Sequence, residues 1–288
     1  MNDPAQNANR LMDALAGHRR LVVAFSGGVD SSVVVAAAAR CHASGTRLQS
    51  VIAVTARSPS VPRWQLDLAI RVAKEIGVEH RIVDTQETLR PEYVTNDSQR
   101  CFYCKQTLYA TLTTIAAQHG SPTAEDTVAL VSGTNADDLG DYRPGIQAGR
   151  QADVLTPLAD LGLGKAEVRQ LAKYFGLSNA ELPASPCLAS RIAYGVSVTP
   201  ERLGMVEKAE SILRDLGFSD LRVRLHENDL ARIEVPVEEM QKLLQSGVRR
   251  QIDVCFRELG FLYVTIDLCG LHSGSMNLPL VSISGAAD

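Results

Sequence analysis

Short apolar runs and longer amphipathic stretches follow one another in a regular order from Leu21 onward. The runs are rich in β-branched residues and show little alternation, which predicts strands of a sheet that is covered on both faces. We predict these strands at residues 21–25, 48–56, 80–85 and 127–133. Apolar positions at helical spacing predict helices at residues 31–43, 61–76, 101–118 and 164–177.

This order of elements predicts a doubly wound α/β domain with a parallel sheet. The ligand of such a domain binds at the carboxyl ends of the strands.

The pattern changes after residues 182–195, a loop rich in Pro, Ser and Ala. The predicted elements beyond it are a helix at residues 199–217 and strands at residues 221–227, 230–236 and 261–268. They indicate a second, smaller α+β domain. A boundary near Val196 divides the chain into domains 1–195 and 196–288.

Composition restricts the possible function classes. The net charge of −4 argues against a large nucleic-acid-binding surface. No apolar stretch approaches the ~20 residues of a membrane helix, and residues 1–20 lack the apolar segment of a signal peptide. We therefore expect a cytoplasmic protein that binds neither nucleic acid nor membrane.

The six cysteines are expected to be thiols, ligands or catalysts in a reducing compartment, and not a disulfide framework. Cys41, Cys255 and Cys269 have largely apolar neighbours, which predicts small core residues. The remaining three, Cys101, Cys104 and Cys187, are candidates for chemistry.

A polar run, SGGVDSS, connects the first predicted strand to the first predicted helix. Glycines let the backbone approach an anion, a helix N-terminus offers free amides and a positive dipole end, and serine hydroxyls add donors. We interpret the run as a nucleotide phosphate loop in which Asp30 orients the loop or holds magnesium. The residues assigned to nucleotide binding are Ser26, Gly27, Gly28, Asp30, Ser31 and Ser32. The alternative is a helix entry turn capped by Asp30 or Ser31.

The motif SGGxDS after an apolar strand resembles the signature of the PP-loop ATP pyrophosphatases. In that family the loop holds the β- and γ-phosphates while a substrate attacks the α-phosphate, which gives an adenylated intermediate and pyrophosphate. The resemblance implies ATP and Mg²⁺ as cofactors. It also explains the absence of the lysine of a G-x-x-x-x-G-K-[ST] loop, because here the phosphates are a leaving group.

Two further segments fit this family. SGTNADD, residues 132–138, follows the fourth predicted strand. The resemblance implies nucleotide contacts from Gly133 and Thr134 and magnesium ligands in Asp137 and Asp138. PLADLGLGKAEVR, residues 157–169, resembles the family's P-L-x-x-x-G-L-x-K-x-E-V-R segment and implies a phosphate contact from Lys165. The alternative for Lys165 is the solvated first turn of a helix.

Four other stretches resemble the LarE-type sulfur transferases, which adenylate a carboxylate of a pyridinium dicarboxylate mononucleotide and then replace the activated oxygen with sulfur. They are RCFYCK, SPCLASRIAYG, RVRLHENDLARIEV and IDLCGLHSGSMN, and the resemblance extends from about Leu11 to Asn277. It implies a role in the biosynthesis of the nickel-pincer nucleotide cofactor.

That family contains two classes, and Cys187 matches the single functional cysteine of one of them. One class sacrifices the sulfur of this cysteine. The other binds a [4Fe-4S] cluster through three cysteines, a pattern that Cys101, Cys104 and Cys187 resemble. Three thiolates leave one iron free for an extra sulfide, and Cys101 and Cys104 share one helix face.

Other interpretations of the C-x-x-C pair remain. A zinc site normally has four ligands with paired spacing, and the sequence has no second C-x-x-C and no suitable His pair nearby. A redox pair beside a βαβ pattern and a pair of buried thiols remain open.

Alternation in the predicted strand 221–227 places Arg222, Arg224 and His226 on one face. Two guanidiniums suit a phosphate or a dicarboxylate, and the LarE resemblance implies that they hold the substrate phosphate. The alternative is an exposed face of an edge strand. Further substrate candidates are Ser190, Arg191 and Glu234, and Tyr103 is a candidate for stacking on the pyridinium ring. His272 departs from the family pattern, in which an arginine is expected.

The sequence therefore predicts an ATP- and Mg²⁺-dependent sulfurtransferase with Cys187, Asp30 and Lys165 as its catalytic residues. The family resemblance implies a homo-oligomer, and sulfide or a sulfur-donor protein would restore the sulfur. The alternatives are a PP-loop enzyme that thiolates RNA or makes an amide, and a nucleotide-binding regulator without turnover. Substrate-dependent release of pyrophosphate would exclude the regulator.

Overall fold

The computed structural model of the protein describes residues 3–119, 128–140, 144–183, 185–272 and Met276. Its contacts divide the chain into two compact units. The first unit consists of Met1–Glu87 and Gln99–Ser185, and the second of Thr88–Ser98 and Pro186–Asp288. Within the described residues, no helix is long and apolar enough to cross a membrane.

The strands of both units have clear bounds. They are β1 (Arg20–Ala24), β2 (Ser50–Arg57), β3 (Glu79–Asp84), β4 (Val128–Val131), β5 (Arg222–His226), β6 (Leu230–Glu234) and β7 (Tyr263–Ile266). The helices are α1 (Pro4–Ala16), α2 (Val29–Ala43), α3 (Arg63–Ile76), α4 (Pro91–Val94), α5 (Arg100–His119), α6 (Pro144–Gln151), α7 (Pro157–Asp160), α8 (Lys165–Tyr174), α9 (Pro200–Asp215), α10 (Met240–Leu244) and α11 (Ser246–Leu259).

The first unit contains a parallel sheet with the strand order β3-β2-β1-β4. In this register Val22 of β1 lies opposite Ile52 and Leu130. Because the strand order reverses direction at β1, a topological switch point lies between β1 and β4, and the turns that follow these two strands meet at one edge of the sheet.

Helices cover both faces of this sheet, which confirms the predicted α/β class. Val23 packs into a core cluster with α1, α2, α3 and α8, whereas its neighbour Val22 packs into a second cluster with α5 and α6. Successive strand residues point to opposite faces, so both must be apolar. This explains why the strands read as continuous apolar runs.

The second unit contains a three-stranded sheet with the order β5-β6-β7. β5 and β6 are antiparallel, and β6 and β7 are parallel. The helix α9 begins where the sequence predicts it, with the Thr199 hydroxyl accepting a hydrogen bond from the amide of Arg202 at 3.3 Å.

The segment Thr88–Ser98 belongs to the second unit by its contacts. The buried Asn96 side chain donates hydrogen bonds to the carbonyl oxygens of Ala193 and Val196, each at 2.8 Å. The two compact units therefore divide between residues 185 and 186, ten residues before the boundary expected near Val196. The second unit includes the 186–195 loop together with the segment Thr88–Ser98.

Three cysteines were expected in the core. Cys41 is buried there, but Cys255 is only half-buried and Cys269 is exposed, so the prediction is wrong for Cys269. Cys269 lies in the turn after β7, where its amide donates to the carboxylate of Asp267. Apolar neighbours in sequence do not bury a residue that lies in a surface turn.

Candidate functional site

The loop between β1 and α2 is held in a conformation that suits an anion. Gly27 has a φ of 73°, which favours glycine, and a Cβ at this position would lie 2.7 Å from the Cα of Ala69 in α3. Gly28 is the N-cap of α2. The first amides of this helix have no intrahelical acceptor and lie at the positive end of its dipole.

The three serines of the loop have different surroundings. Ser31 and Ser32 donate their hydroxyl protons to the carbonyl oxygen of Gly28 at 3.1 and 2.9 Å, and both residues are buried. Ser26 is exposed, and its Oγ accepts a hydrogen bond from the amide of Gly28 at 3.2 Å. Ser31 and Ser32 therefore shape the loop, whereas Ser26 lies at its surface.

The turn after β4 lies directly against the first turn of α2. A Cβ on Gly133 would be 2.6 Å from the backbone nitrogen of Ser31 and 2.8 Å from its Cα, so only glycine fits here. The hydroxyl oxygens of Ser132 and Thr134 lie 3.1 Å apart in the same turn. The structure thus brings Gly133 to the phosphate loop, as the switch-point topology requires.

A buried amide links the carboxylates of these two turns. Asn135 Nδ2 donates to Asp30 Oδ1 at 3.1 Å, and Asn135 exchanges two backbone-to-side-chain hydrogen bonds with Asp138, at 3.3 and 3.2 Å. Burial raises the pKa of the Asp30 carboxyl, the hydrogen bond from Asn135 opposes this change, and the negative charge of Asp138 adds to it. The two carboxylates are therefore close enough to interact.

Lys165 and Asp137 meet at the start of α8. Asp137 Oδ2 accepts a hydrogen bond from the backbone amide of Lys165 at 2.7 Å and caps this helix from outside, since Gly164 has no side chain with which to do so. The side chain of Lys165 is exposed. The positive charge of Lys165 lowers the pKa of Asp30, although this effect is smaller than those of burial, Asn135 and Asp138. The ammonium group therefore acts on the same site.

The carboxylates fit a partial magnesium site. The carboxylates of Asp30, Asp137 and Asp138 accept hydrogen bonds from Asn135 Nδ2, from the amide of Lys165 and from the amide of Asn135, respectively. Among the described residues, no three His, Cys, Asp or Glu side chains form a metal-binding group. Mg²⁺ usually keeps several waters and binds one or two carboxylates together with substrate phosphates. The coupled pair of Asp30 and Asp138 fits a magnesium ion that nucleotide phosphates help to hold.

Cys101 and Cys104 lie in the first turns of α5 and share one face of it. Cys101 is exposed and Cys104 is half-buried. Helix α6 packs closely against this part of α5, since a Cβ on Gly145 would lie 3.4 Å from the carbonyl oxygen of Cys101. The ring of Tyr103 packs edge-on against Phe102, with their centroids 5.4 Å apart.

The loop that carries Cys187 is fixed by its own side chains. The Cys187 carbonyl oxygen accepts hydrogen bonds from Ser190 Oγ at 2.7 Å and from an Arg191 terminal nitrogen at 3.0 Å. Arg191 is 1% exposed and forms an ion pair with the equally buried Glu210 at 3.0 Å. In the second unit, Ser190 and Arg191 therefore position the backbone of Cys187.

A second buried carboxylate pairs with one arginine of β5 and with one of β6. Glu234 is 0% exposed and accepts from Arg224 at 2.8 Å and from Arg232 at 3.1 Å. Arg222 donates to the carbonyl oxygen of Leu221 at 2.6 Å, and it has no ion pair with a carboxylate in the part of the chain that is described. Burial, followed by the charge of Arg191, lowers the pKa of Arg222.

This region of the second unit carries an excess of positive charge. Five guanidinium groups face three carboxylates: Arg191, Arg214, Arg222, Arg224 and Arg232 against Glu210, Glu234 and Asp267. His226 is half-buried, and burial, followed by the charge of Arg232, lowers its pKa. Its Nε2 atom is buried without a partner among the described residues.

The last motif predicted from sequence is only partly described. His272 is exposed, and its Nδ1 lies 3.1 Å from the carbonyl oxygen of Gly270. Of the GSMN residues that follow, Met276 accepts a hydrogen bond from Arg232 at 3.4 Å. Residues 273–275 and Asn277 lie outside the described residues.

The three candidate cluster cysteines are divided between the two units of the chain. Two thiols lie on one face of α5 in the first unit, and Cys187 belongs to the second unit. No group of three metal-ligating side chains is found among the described residues. The pair on α5 fits two ligands of an iron–sulfur cluster, and the described part of the first unit brings no third ligand to it.

Sequence reasoning missed four residues that organise these sites: Asn135, Asn179, Glu210 and Arg232. Asn135 bonds to Asp30 across 105 residues, and Asn179 bonds to Gly27 across 152. Local sequence patterns do not indicate contacts between residues that lie so far apart along the chain. Only the position of Asn135 inside SGTNADD could have indicated its role.

A parallel α/β sheet with the loop SGGVDSS at its switch point is consistent with the class of the PP-loop ATP pyrophosphatases. A family model described as asparagine synthase matches residues 10–139. The chain is 42% identical to an uncharacterised protein of Synechocystis sp. over 258 residues, which cover 90% of this chain and 92% of that protein.

A second relative has a known product. The chain is 36% identical over 270 residues to the pyridinium-3,5-bisthiocarboxylic acid mononucleotide synthase of Lactiplantibacillus plantarum, covering 93% of this chain and 92% of the synthase. It is also 26% identical over 251 residues to an uncharacterised protein of Methanocaldococcus jannaschii, covering 87% and 90%. The chain therefore belongs to the LarE family of ATP-dependent sulfurtransferases, which act in nickel-pincer cofactor synthesis.

Proposed function

We propose that this enzyme adenylates a carboxylate of a pyridinium dicarboxylate mononucleotide and converts it into a thiocarboxylate. The observation that carries the proposal is the close packing of the Gly133 turn against the first turn of α2, whose first amides have no intrahelical acceptor. The chain is also 36% identical to a synthase of a bisthiocarboxylic acid mononucleotide. A carboxylate oxygen is a poor leaving group, and adenylation turns it into a good one.

In the first step, a carboxylate oxygen attacks the α-phosphorus of ATP and the bond to the bridging oxygen of the β-phosphate breaks. Pyrophosphate leaves with the negative charge that develops. The groups assigned to hold it are Ser26, Gly27, Gly28, Ser31, Gly133, Thr134 and Lys165. Ser32 contributes by holding the carbonyl oxygen of Gly28. Amides at a helix N-terminus and an ammonium group stabilise such a departing anion.

Magnesium is assigned to Asp30 and Asp138, with Asp137 beside them. The raised pKa of Asp30 has burial as its main cause and the charge of Asp138 as a further one. A divalent cation would favour the ionised form of both carboxylates, and it would neutralise phosphate charge when bound. Asp137 already caps α8, and we therefore assign it a smaller part in magnesium binding than Asp30 and Asp138.

The substrate phosphate is assigned to Arg222 and Arg224. Arg222 supports this assignment because it lies in a positively charged region without a carboxylate partner in the described residues. Glu234 orients Arg224 and prevents it from repelling its neighbours. Ser190 and Arg191 contribute by holding Cys187.

For the sulfur source we propose the three-cysteine class, in which Cys101, Cys104 and Cys187 bind a [4Fe-4S] cluster. When bound, such a cluster supplies an iron that is open to an additional sulfide. The alternative within the family is that Cys187 gives up its own sulfur. We also propose that the enzyme is cytoplasmic and homo-oligomeric, and that sulfide or a sulfur-donor protein restores the sulfur.

One set of experiments tests both parts of this proposal. Substrate-dependent release of pyrophosphate, lost in Asp30→Ala, tests adenylation. Iron and acid-labile sulfide are then measured on anaerobically reconstituted protein and on Cys101→Ala, Cys104→Ala and Cys187→Ala, with Cys269→Ala as an exposed control.

About four irons per chain, retained only in the wild type and in Cys269→Ala, would support the cluster. No iron in the wild type, with the mass of H₂S lost from the Cys187 peptide after turnover, would identify the sacrificial class.

A further inference from the structure

We infer that Asn179 is a positioning residue of the phosphate loop, an inference that rests on the nucleotide-binding function proposed above. Asn179 lies in the turn that follows α8 and is 0% exposed. It is 152 residues from Gly27 along the chain. No motif identified from the sequence includes it.

The contacts of Asn179 fix the orientation of its amide. Nδ2 donates to the carbonyl oxygen of Gly27 at 2.8 Å and to Ser32 Oγ at 2.9 Å. Ser32 uses its own proton to reach the carbonyl oxygen of Gly28 at 2.9 Å, so it can only accept from Asn179. Both neighbours are acceptors, and the NH₂ group must therefore face them.

The other end of the amide has no such partner. Asn179 Oδ1 is buried without a hydrogen-bond partner among the described residues. A buried acceptor without a partner is unfavourable. The stabilising contribution of this side chain therefore comes from the two hydrogen bonds that it donates.

These hydrogen bonds control the direction of two peptide groups. In a loop that binds an anion, the amides point towards the ligand and the carbonyl oxygens point away. Asn179 binds the Gly27 carbonyl directly and the Gly28 carbonyl through Ser32. Because Ala69 confines Gly27 from α3, both peptides are held with their oxygens on the protein side.

The turn around Asn179 has separate attachments, which provide a matched control. The amide and hydroxyl of Ser178 donate to Glu75 of α3, at 2.9 and 2.5 Å. Glu181 pairs with Lys173 of α8 at 2.5 Å. Neither contact involves the phosphate loop. A variant at Ser178 therefore disturbs the turn and leaves the loop intact.

The test compares Asn179→Leu, Asn179→Asp, Asn179→Ser and Ser178→Ala with the wild type. Leucine has a similar size but no donor, aspartate turns an acceptor towards the Gly27 carbonyl, and serine is a mild change that guards against misfolding. Equilibrium binding of Mg·ATP is measured by calorimetry. The KM for ATP and the KM for the mononucleotide are measured from pyrophosphate release, and folding is checked by circular dichroism.

We expect the ATP dissociation constant and the KM for ATP to rise about tenfold or more in Asn179→Leu, and further in Asn179→Asp, because a buried carbonyl loses its donor. The KM for the mononucleotide and all values of Ser178→Ala should stay within about twofold of the wild type. Folded Asn179 variants that bind ATP like the wild type would overturn the inference and leave the proposed function intact. A wild-type protein that neither binds ATP nor releases pyrophosphate would overturn both.

Discussion

The side chain of Asn135 donates a hydrogen bond to Asp30 over 3.1 Å and joins the turn after β4 to the first turn of α2. Asn135 is 1% exposed, and it also exchanges two hydrogen bonds with Asp138. One amide therefore fixes the positions of two carboxylates that interact electrostatically. The geometry of the proposed nucleotide site therefore depends on a residue with no charge of its own.

Replacement of Asn135 with alanine should impair adenylation. Hydrogen bonds to charged groups contribute about 1.5–3 kcal/mol, which predicts a fall in kcat/KM for Mg·ATP of about ten- to a hundredfold. Pyrophosphate release at varied Mg·ATP measures it. Leu139→Ala is the control, because Leu139 lies on the same turn with 49% of its surface exposed. Equal kinetics for the two variants would contradict the role of Asn135.

Asp30 should destabilise the folded protein at neutral pH in the absence of magnesium. Burial raises its pKa above the ordinary value of 3.8, so the folded state favours the protonated carboxyl. The resulting stability is present below pH 3.8 and is lost as the pH rises through the raised pKa.

Asp30→Asn should therefore be more stable than the wild type at pH 7 and equally stable in acid, while it releases no pyrophosphate. Thermal denaturation without magnesium at several pH values measures the difference. A variant that is less stable than the wild type at pH 7 would show that the charge of Asp30 is already well compensated.

Local signals and long-range contacts differ in what the sequence reveals. The strands of the first unit were predictable because residues such as Val22 and Val23 pack on opposite faces and both must be apolar. The turn between β1 and α2 was predictable because its two glycines are adjacent, and its binding of phosphate stays a prediction. The role of Asn179 was not, because its partners are 152 and 147 residues away. The burial of charged residues was also not predictable. Glu210 binds Arg191 in the core, but the sequence indicates only one more charged residue on a helix.

The buried pair of Arg191 and Glu210 should control both stability and the reactivity of Cys187. Arg191→Met removes a donor to the Cys187 carbonyl. Among the described residues, it leaves Glu210 with the partly exposed Arg214 and a hydrogen bond of 3.3 Å from the amide of Val223. Loss of one partner of a buried ion pair costs about 3–5 kcal/mol of unfolding free energy. Urea denaturation measures this change, and the alkylation rate of Cys187 by iodoacetamide should rise as its loop loosens.

Arg214→Ala is the matched control for that variant. Arg214 binds the same Glu210, but 34% of its side chain is exposed. A partly exposed pair contributes about 1 kcal/mol or less, and Cys187 should be alkylated at the wild-type rate. If Arg191→Met and Arg214→Ala had the same effects, the hydrogen bonds of Arg191 to the Cys187 loop would have no special importance.

Variants of Arg222 and Arg224 should separate effects on substrate binding from effects on stability. Arg222 donates only to a backbone carbonyl in the described residues, so Arg222→Ala should hardly change the melting temperature. Its guanidinium stays charged at any working pH, and its loss should raise the KM for the mononucleotide about tenfold or more. Arg224→Ala should also lower the melting temperature, because the fully buried Glu234 loses two hydrogen bonds.

The decisive comparison uses the same substrate with and without its phosphate group. Arg222→Ala should weaken the binding of the mononucleotide and leave that of the corresponding nucleoside unchanged, because only the phosphate is assigned to this arginine. Inorganic phosphate should compete with the mononucleotide in the wild type and lose this effect in the variant. Arg249→Ala, on the exposed side of α11, controls for a general loss of positive charge. An equal loss of affinity for the mononucleotide and for the nucleoside would show that the substrate phosphate does not bind at β5.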